Sequence, residues 1–394
     1  MRKKICFVVQ RYGIEVNGGA ELLCRQFAEK MAAKHEVTVY TTKAIDYVTW
    51  KNEYPVEEEM LNGVKVCRFG VDMTRDPEEF DRINGLFYAG KLEQHQEDQW
   101  FIAQGPFVPR LIEALKISKD RFDAFIFNTY LYYPSIYGIP EVAEKAIFIP
   151  DAHDEPFLNF HRVQEIFTKP AAIFYNTEEE HELISKRFHN DNIPYAIGGV
   201  GVEIPAHPAP EVFCEKYGIK DPYVIYVGRI DEGKNCNQMF LYWDLYKKRH
   251  PSSLKLLLIG KAVIPVPERE DIISLGFVSD EDKFAGIEGA KFLWLPSRFE
   301  SLSIVVLEAM SLKVPVLVNG ACAVLKGHCI KSNAGLYYEN YQEFEGAMNF
   351  LRKDSTLLDA MCSVAPCYVK NNYQWETILN RLETLIELVA QPKE

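Results

Sequence analysis

The stretch IGGVGVEIPAHPAPEVF, residues 197–213, carries three glycines and three prolines and offers little to either a helix or a strand. What lies on each side decides the fold. Before it, ICFVVQ (5–10), EVTVYTT (36–42), VKVCRF (64–69), DAFIFNT (123–129), AIFIPDA (146–152) and AIFYNT (172–177) are short, nearly continuous apolar runs. Such runs mark buried parallel strands. Between the first two, GAELLCRQFAEKMAAK sets Leu23, Phe27 and Met31 at helical spacing. After the interruption the alternation restarts with YVIYVGRI (223–230), a helix over 237–249, LKLLLIG (254–260), IISLGFV (272–278), AKFLWLP (290–296), a helix from Ile304, and VPVLVNG (314–320). Strands alternating with helices build βαβ units around a parallel sheet. The expectation is an α/β protein of two parallel-sheet domains, 1–202 and 203–373, with 374–394 as a terminal helix. Trp375, Ile378, Leu382 and Leu385 give that tail a helical stripe that can pack on either domain, the first included.

Composition bounds the function. The 394 residues include 44 Lys+Arg against 56 Asp+Glu, a net charge of −12. An acidic chain without a basic run is a poor match for nucleic acid or an anionic membrane surface. At most, peripheral membrane contact is expected. No apolar run reaches the ~20 residues of a membrane helix, and the apolar start at Ile5–Val9 reads as a first strand rather than a signal peptide. Nine cysteines without a CxxC pair suggest reduced thiols in a cytoplasmic protein, not a zinc site.

Open parallel sheets bind ligands beyond the carboxyl ends of their strands, so a cleft between two such domains is the expected site. Four loops fall there. VNGGAELL (16–23) opens the first helix; Gly18 and Gly19 allow positive φ and close backbone approach, or simply a tight turn. It is not the GxGxxG of a dinucleotide site. DAHDEP (151–156) sets His153 among carboxylates, suited to hydrogen bonding or proton transfer. Its Asp151 and Asp154 also admit a metal reading, and a plain loop histidine remains open. YVGRIDEGKN (226–235) places Arg229 and Lys234 after a strand, where two cations can clamp a diphosphate, or where Asp231 and Glu232 neutralise them in a surface turn. In SRFESLSIVVLEAM (297–310), Glu300 precedes a helix that Ser303 can cap, and Glu308 lies inside it. The two acids suit a glycosidase pair, or two separate diols of one ligand.

Taken in order, GR-x4-K followed by PS-x2-E-x7-E resembles the C-terminal domain of retaining glycosyltransferases of the GT-B fold, family 4 (glycosyl transferases group 1). NGGAE, the HDE loop, GVGVEIP and LGFVSDEDKFAGIEGAKFLWLPS are similar to that family over nearly the whole chain. The resemblance implies two Rossmann-like domains facing each other across a cleft, the first binding acceptor and the second a nucleotide-sugar donor. It implies that Arg229 and Lys234 neutralise the donor diphosphate, that Glu308 holds ribose hydroxyls and that Glu300 contacts the transferred sugar. Ser301, Leu302 and Ser303 line the donor, Gly228 allows close packing, and His153, Gly18 and Gly19 approach the sugar, phosphate or acceptor. It implies no metal and no cofactor beyond the donor, expected to be UDP-linked and glucose-type. Where the family places glycines, this chain has Ser301 and Ser303. Its loop NGACAVLKGHC (319–329) also departs, with Lys326 and His328 as candidate donor contacts. That loop, NTYLYYPSIYG and SNAGLYYENYQEF look like a bacterial polysaccharide-assembly subgroup, with a glycan or lipid-linked sugar acceptor. FDRINGLFYAGKLEQHQEDQWFIAQGPF (80–107) mixes aromatic and amide groups suited to sugar faces, or forms an ordinary amphipathic helix pair. The alternatives are a glycoside hydrolase using Glu300 and Glu308, and a non-catalytic sugar-nucleotide-binding protein.

Overall fold

The computed structural model describes residues 2–16, 18–205, 208–353 and 356–391. Asn17 of the first glycine loop and Ala206 and His207 of the Pro/Gly stretch lie outside the described residues. The chain divides into two compact units, Met1–Gly199 with Glu376–Glu394, and Val200–Trp375.

The first unit is built on an eight-stranded sheet: β1 (Lys4–Val8), β2 (Glu36–Thr42), β3 (Glu58–Leu61), β4 (Val64–Phe69), β5 (Ala124–Asn128), β6 (Ala146–Ile149), β7 (Ala172–Tyr175) and β8 (Tyr195–Ile197). Their spatial order is β3-β4-β2-β1-β5-β6-β7-β8. All neighbours are parallel except β3 and β4. β5, β6 and β7 are buried along their whole lengths, which is why they read as continuous apolar runs. β4 alternates buried and open positions, as a strand near the sheet edge does. Helix Gly19–Ala32 lays Leu23, Phe27 and Met31 into the core. The alternation expected between β2 and β4 is absent. Their connection holds no helix and instead carries the antiparallel strand β3, turned back on β4 through Asn62 and Gly63, both at positive φ.

The second unit has six strands, all parallel: β9 (Tyr223–Val227), β10 (Lys255–Ile259), β11 (Ile272–Gly276), β12 (Leu293–Leu295), β13 (Val316–Asn319) and β14 (Gly335–Tyr338). Their order is β11-β10-β9-β12-β13-β14. Strand order therefore reverses between β9 and β12, and in the first unit between β1 and β5. Each is the crevice where a doubly wound sheet accepts a ligand. Gly260 allows β9 and β10 to end side by side: it sits at φ 133°, and a Cβ there would lie 2.1 Å from the Gly228 carbonyl oxygen.

The terminal helix, Trp375–Val389, is held by the first unit over all but its first residue. Ile378, Leu382 and Ile386 are buried, Glu383 pairs with Lys34 at 3.0 Å, and Arg381 donates to the Ile197 carbonyl at 2.7 Å. Among the described residues no helix is long and apolar enough to cross a membrane.

Candidate functional site

In the second unit, the loops after β9 and β12 meet at the strand-order reversal. β9 runs out at Gly228, and Asp231 then organises the turn: its Oδ1 accepts the Lys234 amide at 2.8 Å and its other oxygen pairs with Arg229. The Tyr226 hydroxyl donates to the Arg229 carbonyl at 2.6 Å, pinning the loop to its own strand. Asn235, in the left-handed region at φ 59°, opens helix Cys236–Arg249. Its amide donates to the Pro296 carbonyl at 3.1 Å, and Asn319 at the end of β13 donates to the same oxygen at 3.0 Å. One carbonyl thus ties together the ends of β9, β12 and β13. Neither asparagine was foreseen; the place of Asn235 just before a helix and of Asn319 at a strand end were the available signals.

Lys234 reaches across to Glu300, Nζ to Oε1 2.7 Å. The lysine side chain is 31% exposed and the glutamate 12%, so the cation is the more accessible partner. Arg229, 44% exposed, is not a bare cation either, since Asp231 shares its charge. The surface-turn alternative is thus realised in part: these ions do satisfy one another, but across two loops at a crevice. Glu308 lies on helix Ile304–Ser311, buried, and accepts from Lys283 at 2.8 Å. Burial pushes its carboxyl above the usual range, opposed by the Lys283 charge. Glu308 is thus a buried, paired acid, and its partner Lys283 was not foreseen.

Ser303 occupies the cap position but makes no capping bond with its side chain. It sits at φ 65°, the left-handed region that favours glycine, and its hydroxyl is buried without a protein partner, like that of Ser297. The expected side-chain cap is therefore replaced by a backbone turn. Ser301 and Leu302 complete the loop, Leu302 buried. The segment 319–329, expected as a loop, is largely taken up by helix Ala323–Ser332, on which Lys326 pairs with Glu339 at 2.8 Å and His328 is buried with both ring nitrogens engaged, at Leu302 and Tyr368. Both candidate donor contacts are thus engaged within the protein in the ligand-free chain.

In the first unit, Gly18 is required by space rather than by dihedral. Its φ of 165° is ordinary extended backbone, yet a Cβ there would lie 2.0 Å from Glu21 Oε2. Gly19 has open space and sits inside the helix, so neither reason applies to it. Glu21 is buried and anchors the turn after β1: Arg11 Nη2 lies 2.6 Å away and Gln10 donates at 3.0 Å. Beyond β6, Asp151 stands at φ 53° and accepts from Asn176 at 2.8 Å. Its pKa is raised to about 7 chiefly by burial; the Asn176 bond opposes this and the Glu21 charge adds to it. Glu180 is buried beside it, receiving the Ala152 amide, and burial raises its pKa too. His153 Nε2 lies 3.2 Å from Glu155, which also accepts the Tyr130 hydroxyl. Among the described residues no three His, Cys, Asp or Glu side chains gather as a metal-ligand group.

Two doubly wound units with their polar loops at the strand-order reversals define the class of the fold: GT-B, with Rossmann-like domains. Structures of glycosyltransferases share it. Sucrose-phosphate synthase from Thermosynechococcus elongatus superposes with a TM-score of 0.73 at 16% identity, over 98% of this chain and 99% of that one. Anabaena HepE, solved in complex with UDP and glucose, gives 0.72 at 14% identity, over 98% and 100%. At the level of family, residues 213–363 match the model for glycosyl transferases group 1. That segment holds Arg229, Lys234, Glu300 and Glu308. A glycosyltransferase 1 domain-containing protein from Xenopus tropicalis is 28% identical over 196 residues, 45% of this chain and 54% of its own. The chain thus spans about half the length of that relative.

Proposed function

We propose that the protein is a retaining hexosyltransferase that moves a sugar, glucose first, from UDP to a hydroxyl of a glycan or lipid-linked acceptor in bacterial polysaccharide assembly. The observation that carries this reading is the cluster of Arg229, Lys234 and Glu300 at the reversal between β9 and β12, inside the segment that matches the family. A diphosphate arriving there competes with carboxylates for two cations. Lys234 turns to the phosphate, and Glu300, released, accepts hydroxyls of the transferred sugar. Glu308 takes the ribose diol. Leaving-group charge grows on the β-phosphate as the bond from the sugar to that phosphate breaks, and preorganised cations stabilise it there; each such contact lowers the barrier by about 3–4 kcal/mol. The phosphate oxygen takes the acceptor proton. No metal is needed where protein cations carry the charge. In the first unit, His153 and the Gly18–Gly19 turn are the residues assigned to the acceptor.

The UDP assignment is supported by HepE, solved with UDP and with UDP-glucose. Cytoplasmic placement is supported by nine free cysteines. The hydrolase alternative fits less well, because Glu300 and Glu308 are each bonded to a separate lysine rather than poised as an acid–nucleophile pair. The test is transfer from UDP-glucose to a panel of glycan and lipid-linked acceptors, with the product anomer assigned by NMR. An α-linked product without added metal is expected. Cleavage of aryl glycosides with no response to nucleotide sugars would defeat the reading.

A further inference from the structure

We propose that His328 is a positioning residue that fixes the Glu300–Ser303 loop through a hydrogen bond to the Leu302 carbonyl; the proposal rests on the donor-site reading above. His328 lies on helix Ala323–Ser332, is 2% exposed, and approaches Leu302 O with Nε2 at 2.7 Å. A carbonyl only accepts, so Nε2 carries the proton. Nδ1, 2.9 Å from the Tyr368 hydroxyl, then accepts from it. The acceptor-only Leu302 carbonyl thereby fixes the tautomer, and the Tyr368 hydroxyl holds the ring in place from its other nitrogen, as an outer hydrogen bond orients a histidine beside a metal.

The loop needs such a hold. The segment leading into it is tied by Asn235 and Asn319 at the Pro296 carbonyl. Further along, Glu300 O receives a weak donor, the Cys322 thiol, with Sγ at 3.9 Å. Ser303 sits in the left-handed region without a capping bond, a conformation that surrounding structure must enforce. The His328 bond falls between those two points. Loss of it removes a hold two residues from Glu300, whose carboxylate is paired with Lys234, the partner that a diphosphate would remove.

Three variants decide the matter: His328→Ala, His328→Gln and Tyr368→Phe. Gln places an amide N–H near the Nε2 position. Hydrogen exchange is measured on the ligand-free full chain, and UDP binding by calorimetry. In His328→Ala, exchange over residues 298–306 should quicken about tenfold and UDP affinity fall about tenfold, the loss of one buried hydrogen bond. The β1 and β9 segments should exchange as in the wild type. His328→Gln should restore both quantities, and Tyr368→Phe should fall between. Wild-type exchange in His328→Ala overturns the proposal. So does a His328→Gln chain as loose as His328→Ala, which would assign the effect to ring packing. If the wild-type chain binds no UDP, the functional reading fails, and exchange over 298–306 still decides whether His328 holds the loop.

Discussion

Lys234 and Glu300 neutralise each other in the ligand-free chain, and this makes their roles separable. Glu300→Gln frees the ammonium without removing it. UDP affinity should hold or tighten by up to about fivefold, the scale of a partly exposed pair. Transfer should slow by about two orders of magnitude as a contact to the reacting sugar is lost. Calorimetry and initial rates check both. The paired glycines of the first loop also part company. Gly18→Ala drives a methyl into the Glu21 carboxylate, which Arg11 holds in place, and should destabilise by about 1–3 kcal/mol. Gly19→Ala meets nothing within 4 Å and should be neutral or stabilising by up to about 1 kcal/mol. Chemical denaturation of the two variants distinguishes space from dihedral as the reason for NGG. The sequence could nominate both glycines, because a GG pair before a helix is visible. It could not separate them, because the difference is the position of one carboxylate oxygen.

At the scale of elements, buried strands were legible and short edge strands were not. β5, β6, β7 and β9 announce themselves as apolar runs, since both faces are covered. β3 is EEML, β8 three residues and β14 four, too few apolar positions to show a period. The Asn62–Gly63 pair was the one local sign of β3, a turn whose two residues both need positive φ. Ser303 misled for the opposite reason. Its chemistry suits a cap, but its conformation is set by the loop from β12, tied down at Pro296 and Leu302. The meeting of β9 and β10 gives a sharp prediction. Gly260→Ala puts a Cβ against the Gly228 carbonyl at φ 133°, so neither rotation nor a flexible neighbour relieves it. A loss of at least about 3 kcal/mol or failure to fold is expected. Gly346→Ala, in open space on helix Tyr341–Leu351, serves as the control and should leave the denaturation midpoint unchanged or raised.

At the scale of the whole molecule, the two units carry different chemistry. The first buries acids: Asp151 and Glu180 favour their protonated forms, Asp151 with a pKa of about 7 against 3.8 for an ordinary aspartate. The folded chain therefore holds a proton that the unfolded chain releases. The stability this contributes is full below about pH 4 and is lost as pH rises toward 7. Asp151→Asn removes the titration and keeps an acceptor for Asn176. The melting temperature of the variant relative to wild type should climb from pH 4 to 7 and then level off; a flat difference would contradict this. The second unit instead pairs its acids with lysines and an arginine at the strand-order reversal. The most direct test of that arrangement is the melting temperature of the wild type and of the Arg229→Ala/Lys234→Ala double variant with UDP, ADP and GDP. UDP should raise the wild-type value most and leave the double variant where it was. A wild type indifferent to every nucleoside diphosphate, or a double variant that keeps the full UDP shift, would contradict the account.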